Sequence, residues 1–396
     1  MINYITQELD KLNEEGLLRK PMVISAIKGS QVKIENRWYI SFCSNDYLGL
    51  TQSPEVKNAM VQATKKFGAG SGAARLLAGT TLLHHSLEQE LAGFKRTDDA
   101  LLFTSGYAAN LGVITTLIKK DGAIFCDELN HASLVDASRL TKARLFIYRH
   151  RDMAHLEQLL LKTNRLPRTA HRYIITDTIF SMDGDGAPLK EIVRLAKKYN
   201  AYTIVDEAHG TGVFGRHGRG LTEELGLEKK IGIIIGTSSK ALGSVGGFVT
   251  GSQILIDYLR NKSRPFILTT ALPPGVCATT ITSLKILQKP QGKTLRVKLW
   301  ENTKYIKSRL QQMGFDLRNS ISPIIPILIG DTKKTVDISQ TLWKKGLFVP
   351  AIRPPTVPQD QSRLRIVINA MHTRKEMDLL LSSIKCSLSP QRINKI

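Results

Sequence analysis

Lys240 is the side chain of this sequence best suited to covalent chemistry, because it follows an apolar run and is enclosed by glycines in IIIGTSSKALGSVGG. An ammonium group is rarely buried without a partner, so a lysine in such surroundings needs a chemical reason. A Schiff base with an aldehyde cofactor is one reason, and the lysine becomes a free amine and a base once substrate displaces it. The alternative is a loop lysine that extends into solvent. Other motifs of the chain favour the Schiff base.

A second group of residues follows predicted strands. Asp206 ends the apolar run 203–205, and His209 comes shortly after it in VDEAHGTG. Ligands of open α/β sheets bind beyond the carboxyl ends of the strands, so we expect these residues near Lys240. A carboxylate there would hold the protonated nitrogen of a pyridine ring and make that ring an electron sink. An acidic residue at a strand end also binds magnesium in nucleotide hydrolases, but the sequence contains no GxxxxGK[ST] loop.

Hydroxyl groups and an aromatic ring complete this candidate site. Ser181 follows another strand in IFSMDGDGAPL, and it would hydrogen-bond, like His209, to a phenolic oxygen or to the substrate. The alternative for Ser181 is a simple turn residue. His131 in DELNHAS has a flat ring that would stack on a pyridine. The alternative for His131 is a packed or helix-capping histidine.

A phosphate site is predicted where LLFTSGYAANLG passes from a strand into a helix. Ser105, Gly106 and Tyr107 occupy this junction. The N–H groups of a first helical turn are unpaired and lie at the positive end of the helix dipole, so they suit a phosphate dianion. Thr237 would add a hydroxyl to the same phosphate.

Alternating strands and helices must position these residues. Short apolar runs bounded by turn residues and separated by amphipathic helical stretches predict a mostly parallel sheet with helices on both faces. These runs are 100–103, 123–126, 145–148, 173–175, 202–205 and 231–235. After residue 254 a long helical region extends to Leu310, and β-like segments follow at 324–329 and 364–368. That change of pattern predicts a smaller α+β domain.

The same pattern gives a domain organisation. We predict an N-terminal segment at 1–45, with a helix near 5–18 and a hairpin near 32–40. A large α/β domain is expected at 46–285 and a small C-terminal α+β domain at 286–396. We expect the N-terminal segment to pack on the small domain.

Composition indicates a globular protein without a metal site. Hydrophobic residues make up 42% and charged residues 23% of the 396 residues. The histidines form no HExxH motif, and the cysteines are too far apart for a CxxC pair: Cys43, Cys126, Cys277 and Cys386. The N-terminus resembles neither a signal peptide nor a membrane span, so we expect a cytoplasmic protein.

The net charge of +22 does not by itself identify a partner. A basic surface attracts nucleic acid, anionic substrates or an acidic protein. The basic residues are spread along the chain, and no helix-turn-helix, zinc-finger or RNA-binding signature accompanies them. The charge therefore favours a solvated basic surface over nucleic-acid binding.

Taken together, five segments resemble the α-oxoamine synthases, a pyridoxal-phosphate family with the aspartate-aminotransferase fold (fold type I). They are SGYAAN, DELNHAS, FSMDGDGAPL, VDEAHGTG and GTSSKALGSVGG, in one order over nearly the whole chain. The resemblance implies an acyltransferase that condenses a small amino acid with an acyl thioester and releases carbon dioxide. It implies catalysis by Lys240, His131, Asp206 and His209. The implied cofactor contacts are Ser105, Gly106, Tyr107, His131, Ser181, Asp206, His209, Thr237, Lys240 and Thr270.

The resemblance also implies a homodimer and an amino-acid site. The active site of this fold family lies at a dimer interface, where Thr270 would reach the phosphate of the partner subunit. The C-terminal segment GLFVPAIRPPTVPQDQSRLRIVINAMHT resembles that of members that use L-alanine and a pimeloyl thioester, carried by CoA or by an acyl carrier protein. Thr356 and His131 would contact substrate, Arg365 would bind its carboxylate in a bidentate pair, and Arg19 matches a substrate-binding arginine. A glycine-using acyltransferase of the same family is the alternative.

Overall fold

Residues 1–163 and 170–388 are described in the computed structural model, and they fall into two units. The smaller unit comprises 1–49, 182–185 and the chain from residue 297 onwards, and the larger unit comprises the rest. The short segment 182–185 therefore groups with residues distant in sequence. Arg363 forms a buried ion pair with Asp183, which accounts for part of this grouping.

The N-terminal part of the smaller unit is a helix followed by an antiparallel hairpin. The helix has no buried residue and lies earlier in the chain than predicted, with Gly16 at a φ of +67° just beyond it. The hairpin turns at Glu35 and Asn36, which both have positive φ. The elements are α1 (Ile2–Glu14), β1 (Ala26–Lys28), β2 (Gln31–Ile34) and β3 (Arg37–Ser41).

The larger unit is built on a seven-stranded sheet. Its strands are β4 (Asp99–Phe103), β5 (Ala123–Asp127), β6 (Arg144–Tyr148), β7 (Arg172–Asp177), β8 (Ala201–Asp206), β9 (Ile233–Thr237) and β10 (Gly247–Gly251). Their order in the sheet is β4-β10-β9-β8-β7-β5-β6. Only β10 is antiparallel to its neighbours, so the mostly parallel sheet predicted from the apolar runs is confirmed. β10 was not predicted, because its sequence begins and ends with glycine.

Helices cover this sheet because their apolar sides pack on the buried strands. In the helix Leu189–Lys198, Leu189, Ile192 and Leu195 are buried while the lysines face outward. A turn of 3₁₀ helix (Leu50–Gln52) precedes the first helix. The helices are α2 (Pro54–Phe67), α3 (Leu82–Lys95), α4 (Gly106–Leu117), α5 (Ala132–Leu140), α6 (Met153–Lys162), α7 (Leu189–Lys198), α8 (Leu221–Glu224), α9 (Gln253–Lys262), α10 (Arg264–Ile267) and α11 (Pro274–Gln288).

The C-terminal part of the smaller unit follows α12 (Pro290–Gln312), which crosses the unit boundary in sequence. Its other elements are β11 (Ile324–Gly330), α13 (Thr332–Lys344), β12 (Leu347–Phe348), β13 (Ala351–Ile352), β14 (Ser362–Val367) and α14 (Arg374–Ser387). The order β11-β14-β13 forms an antiparallel sheet, and β12 pairs with β3. Phe42 from the N-terminal segment shares a core with Leu342, Leu364 and Leu380. Among the described residues, no helix combines the length and apolarity that crossing a bilayer requires.

Candidate active site

Three adjacent strands of the larger unit end in side chains that share one edge of the sheet. Asp206 is the last residue of β8, and the register places it beside Asp177 of β7 and Ile235 of β9. Thr237 ends β9, and His131 follows β5 as the N-cap of α5. Parallel strands bring their carboxyl ends to a common edge, which is where ligands bind in open α/β sheets.

Lys240 lies in the loop between β9 and the antiparallel strand β10. Backbone bonds close this loop, since Ser238 N–H donates to Gly246 O over 2.9 Å and Gly243 N–H donates to Lys240 O over 2.9 Å. Gly243 and Gly246 have φ values of +60° and +115°, a region that favours glycine. The glycines around Lys240 thus form a tight turn, which holds its half-buried side chain at the sheet edge.

Asp206 is a buried carboxylate held by neutral donors. Its Oδ1 accepts the N–H of Ala208 over 2.8 Å, and its Oδ2 accepts from Nδ2 of Asn110 over 2.7 Å. Only 5% of the residue is exposed. A carboxylate removed from water and bound by amides favours a cationic partner. A protonated pyridine nitrogen is such a partner.

The charges of Asp206 and Lys240 act on two neighbouring groups. Although His131 as a residue is exposed, loss of hydration around its ring lowers the pKa of His131, which Asp206 opposes and Lys240 reinforces. Burial and the charge of Asp206 raise the pKa of Asp177 well above its usual range. Asp177 Oδ2 also accepts the backbone N–H of His131 over 2.7 Å. These four side chains therefore lie within electrostatic reach of one another, and the lowered pKa of His131 favours its neutral imidazole form.

The start of α4 forms a cradle of backbone donors beside Thr237. Ser105 caps the helix by accepting the N–H of Ala108 over 3.0 Å, while the amides of Gly106 and Tyr107 lie at the open end of the helix. A Cβ at Gly106 would lie 3.4 Å from Cβ of Thr237, so the helix start and the end of β9 are in direct proximity. Amides and a hydroxyl in this arrangement fit a phosphate.

Gly247 allows this close approach, and its replacement provides a test. A Cβ at Gly247 would collide with Ser105 O and lie 2.7 Å from Gly106 N. We expect Gly247→Ala to lower the free energy of unfolding by about 1–3 kcal/mol, because backbone must move. It should also weaken cofactor binding. Urea denaturation and a cofactor titration measure the two effects.

The matched control is Gly93→Ala. Gly93 lies inside α3, and a Cβ there meets nothing within 4 Å. Alanine is the better helix former, so stability should hold or rise by up to about 1 kcal/mol. Equal cofactor affinity in Gly247→Ala and Gly93→Ala would contradict the importance of the close approach.

The predicted residues Ser181, His209 and Tyr107 lie around the same edge in different settings. Ser181 follows β7 and is half-buried, and His209 follows β8 and is buried. The hydroxyl of Tyr107 donates to Asp136 Oδ2 over 2.7 Å, which connects the start of α4 with α5. Tyr107 therefore contributes its amide to the helix start while its hydroxyl is engaged elsewhere.

Thr270 lies on an exposed part of the larger unit. It forms an isolated antiparallel bridge with Ala74 and is itself exposed. Large apolar side chains within three residues of one or the other bridge partner are also exposed: Leu76 at 51%, Leu77 at 80% and Leu268 at 63%.

Arg365, predicted to bind the substrate carboxylate, lies in β14 of the smaller unit. Its Nη2 donates to Asn45 Oδ1 over 3.3 Å, and it also hydrogen-bonds Tyr47. Burial lowers the pKa of Arg365 and raises the pKa of Tyr47. A buried guanidinium held by neutral groups suits a carboxylate ligand.

Arg19 and Thr356 meet at one turn of the smaller unit. Nη2 of Arg19 donates to Pro354 O over 2.8 Å, and Thr356 N–H donates to Arg353 O over 3.2 Å. Both Arg19 and Thr356 are exposed. The two predicted substrate residues, distant in sequence, are thus brought to the same turn.

Sequence reasoning missed Asn110, Ser133 and Asp177. Asp177 ends β7 as Asp206 ends β8, so a strand-end argument applies to both. Asn110 lies one helical turn after Gly106 in the otherwise apolar GYAANLGVITTL, and a lone amide on a buried helix face is a signal of a polar partner. Ser133 carries no comparable signal, because a serine in a first helical turn is common.

The residues of this edge fit pyridoxal phosphate, the cofactor implied by the sequence resemblance. The buried carboxylate of Asp206 suits the pyridine nitrogen, Lys240 suits the aldehyde, and the start of α4 suits the phosphate. Among the described residues, no group of three or more His, Cys, Asp or Glu side chains is arranged to hold a metal ion.

Comparison with known proteins gives the same family. Residues 38–384 match the family model described as aminotransferase class I and II. An 8-amino-7-oxononanoate synthase from Citrifermentans bemidjiense is 47% identical over 372 residues, which cover 94% of this chain and 95% of that protein. The enzyme of the same name from Petrotoga mobilis is 42% identical over 381 residues, covering 96% of each chain.

Solved structures extend the comparison to three dimensions. A serine palmitoyltransferase from S. paucimobilis with a bound PLP–myriocin aldimine has a TM-score of 0.92 and 34% identity, covering 99% of this chain and 98% of that one. An 8-amino-7-oxononanoate synthase from Francisella tularensis has a TM-score of 0.77 and 27% identity, covering 90% of this chain and 99% of that one. We conclude that this chain belongs to the class I and II aminotransferase family of fold type I, whose cofactor is pyridoxal phosphate.

Proposed function

We propose that this chain catalyses the 8-amino-7-oxononanoate synthase reaction of biotin biosynthesis. In that reaction L-alanine condenses with a pimeloyl thioester, the thiol leaves and carbon dioxide is released. The observation that carries the proposal is a lysine on the β9–β10 loop at the same sheet edge as the strand-end carboxylate of Asp206, in a chain 47% identical over 372 residues to an enzyme of that name. The enzyme is thus a pyridoxal-phosphate-dependent acyltransferase.

Lys240 and Asp206 act on different parts of the cofactor. Pyridoxal phosphate supplies an aldehyde that captures an amino group and a ring that accepts electrons from the α-carbon. Lys240 would hold the aldehyde through Nζ before substrate arrives, and its amine, once displaced by substrate, would accept the α-proton of alanine. The carboxylate of Asp206 keeps a proton on the pyridine nitrogen, which raises the capacity of the ring for electrons.

Histidines and hydroxyls orient the reacting groups. His131 would stack its ring on the pyridine and contact the substrate, and His209 and Ser181 would hydrogen-bond the phenolic oxygen or the substrate. The first turn of α4, from Ser105 to Tyr107, holds the phosphate together with Thr237. The hydroxyl of Ser239 lies 2.8 Å from that of Thr237, whose own hydrogen is donated to Gly246 O over 2.7 Å.

Arg365 selects for an amino-acid carboxylate. Its guanidinium is 6% exposed and is held by Asn45 and Tyr47, so it is fixed in direction before substrate binds. A bidentate pair with the carboxylate of alanine orients the α-carbon. Arg19 and Thr356, at the turn they share, bind the remainder of the substrate.

A homodimer belongs to the same proposal. Thr270 lies among exposed leucines, Leu76, Leu77 and Leu268, which a second copy of the chain would cover. In that arrangement Thr270 reaches the phosphate held by the partner subunit. A cytoplasmic location also remains a prediction.

A turnover assay tests the substrates. We expect product and free thiol from L-alanine with pimeloyl-CoA or with pimeloyl-acyl carrier protein, and the ratio of the two rates identifies the physiological donor. Glycine with acetyl-CoA is the control for the alternative acyltransferase. A higher kcat/KM for glycine and acetyl-CoA than for alanine and either pimeloyl thioester would overturn the proposed function in favour of that alternative.

A further inference from the structure

We infer that Asn110 and Ser133 are positioning residues that connect Asp206 to His131 and hold the imidazole as its Nε2–H tautomer. This inference deepens the proposed function, since it concerns the ring that covers the cofactor in that same site. Neither residue carries a charge, and neither was predicted from the sequence to act in the reaction. What they share is an unbroken line of hydrogen bonds between the two cofactor-facing side chains.

The line begins at the amide of Asn110. Its Nδ2 donates to Asp206 Oδ2 over 2.7 Å and to Ser133 Oγ over 2.9 Å, which uses both amide hydrogens. The hydroxyl of Ser133 lies 2.7 Å from Nδ1 of His131. The hydrogen bonds therefore join four side chains in one order: Asp206 of β8, Asn110 of α4, Ser133 of α5 and His131, the N-cap of α5.

Donor and acceptor rules fix the direction of these bonds. Nδ2 of Asn110 is a hydrogen-bond donor only. The side-chain amide is therefore oriented with Nδ2, and not its oxygen, toward the carboxylate of Asp206. Ser133 Oγ accepts from that amide and has one hydrogen left, which it donates to Nδ1 of His131. The backbone N–H of Ser133 also donates to the same Nδ1 over 3.3 Å. Two donors converge on Nδ1, so this atom carries a lone pair and the ring proton lies on Nε2.

Burial makes this arrangement specific. Asn110 and Ser133 are each 1% exposed, so water does not substitute for a lost partner. Asn110 Oδ1 has no hydrogen-bond partner among the described residues, which costs stability. An apolar residue at position 110 would remove the cost of the unpaired oxygen. It would also remove the two hydrogen bonds that connect Asp206 with Ser133, and these bonds explain why an amide is present.

The functional consequence concerns what His131 offers to the site. A neutral ring with the proton on Nε2 stacks on a cationic pyridine without charge repulsion and still donates one hydrogen bond to substrate. If the ring turned to the other tautomer, Nε2 would be an acceptor and would repel an incoming carboxylate. Asn110 and Ser133 prevent that change.

The test uses holoenzyme labelled with ¹⁵N-histidine, with the His131 signals assigned from a His131→Asn sample. We expect an unprotonated Nδ1 and a protonated Nε2 in the wild type, and a mixture of tautomers in Ser133→Ala and in Asn110→Ala. Asn110→Ala should also weaken pyridoxal-phosphate affinity by roughly tenfold, because Asp206 loses a donor. Ser133→Ala keeps that donor and should change affinity little.

Ser138→Ala is the matched control. Ser138 is on the same helix and is fully buried, but its hydroxyl donates to Leu134 O over 2.7 Å, outside the line. In Ser138→Ala, the tautomer of His131 and the affinity for pyridoxal phosphate should match those of the wild type. A protonated Nδ1 in the wild type, or an unchanged Nε2–H pattern in both Ser133→Ala and Asn110→Ala, would overturn the inference.

Substrate turnover is measured separately, so that the two proposals fail independently. If the tautomers and affinities change as expected while alanine and pimeloyl thioester give no product, the positioning role is supported and the proposed substrates are wrong. If product forms but the labelled histidine is insensitive to both variants, the substrates are supported and the positioning role is wrong.

Discussion

Replacing Lys240 with alanine is expected to remove the visible absorption band of the bound cofactor and to lower kcat by at least about 10³-fold. Two functions are lost together, since in the proposed function the lysine both holds the aldehyde and removes the α-proton of the substrate. The phosphate cradle at the start of α4 and the carboxylate of Asp206 remain, so cofactor should still bind without a covalent bond. Absorbance, a coupled thiol-release assay and equilibrium dialysis measure these three effects.

Lys95 is the lysine against which this prediction is best controlled. It is only 2% exposed, and burial lowers the pKa of Lys95 against the opposing charges of Glu207 and other acidic residues. Its Nζ donates to Thr211 Oγ1 over 2.8 Å and to Arg219 O, so its hydrogens have structural partners. Borohydride reduction of the holoenzyme should therefore attach the cofactor to the peptide that contains Lys240. Attachment at Lys95 would contradict the assignment.

Lys240 and Lys95 also show what sequence alone supports. The signal for Lys240 was its place after a buried strand and between glycines, and the structure gives those glycines a role in the β9–β10 turn. Lys95 has no such signal, because it ends an ordinary amphipathic helix. Local sequence pattern therefore identifies Lys240, which lies in a glycine-containing turn. It does not identify Lys95, which is buried by residues distant in the sequence.

The same distinction applies to the sheet. Apolar runs predicted β4 to β9 and the strand-end position of Asp206, because buried parallel strands have a continuous apolar sequence. β10 lies between β4 and β9, and its Gly247 allows contact with Ser105, which is a requirement of packing and not of local propensity. Asn110 and Ser133 are similar cases, since their importance depends on pairing across elements.

Asp206→Asn is expected to lower kcat by about 10²- to 10³-fold while leaving the visible band in place. The substitution keeps the shape of the side chain and removes its charge, so the pyridine nitrogen would lose the partner that, in the proposed function, keeps it protonated. Lys240 is unaffected and still holds the aldehyde. Retention of the band with loss of turnover separates this variant from Lys240→Ala.

The loss of charge at position 206 should also change the tautomer of His131. An asparagine at position 206 still accepts the N–H of Ala208 through its oxygen, but its NH₂ group then faces the NH₂ group of Asn110. Rotation of the Asn110 amide relieves that conflict only by withdrawing Nδ2 from Ser133. We therefore expect the tautomer of His131 to become mixed in Asp206→Asn, as in Ser133→Ala.

Asp127→Asn is the matched control, because Asp127 is a buried carboxylate at the end of β5. Its partners are the ring of His150, at 2.8 Å from Oδ1, and the backbone N–H groups of Leu129 and Arg151. Its substitution should lower thermal stability by weakening the hydrogen bond with His150, with little effect on kcat or on the labelled His131. Loss of kcat in Asp127→Asn equal to that in Asp206→Asn would mean that any buried strand-end carboxylate suffices. A small loss in both would mean that the pyridine nitrogen does not depend on Asp206.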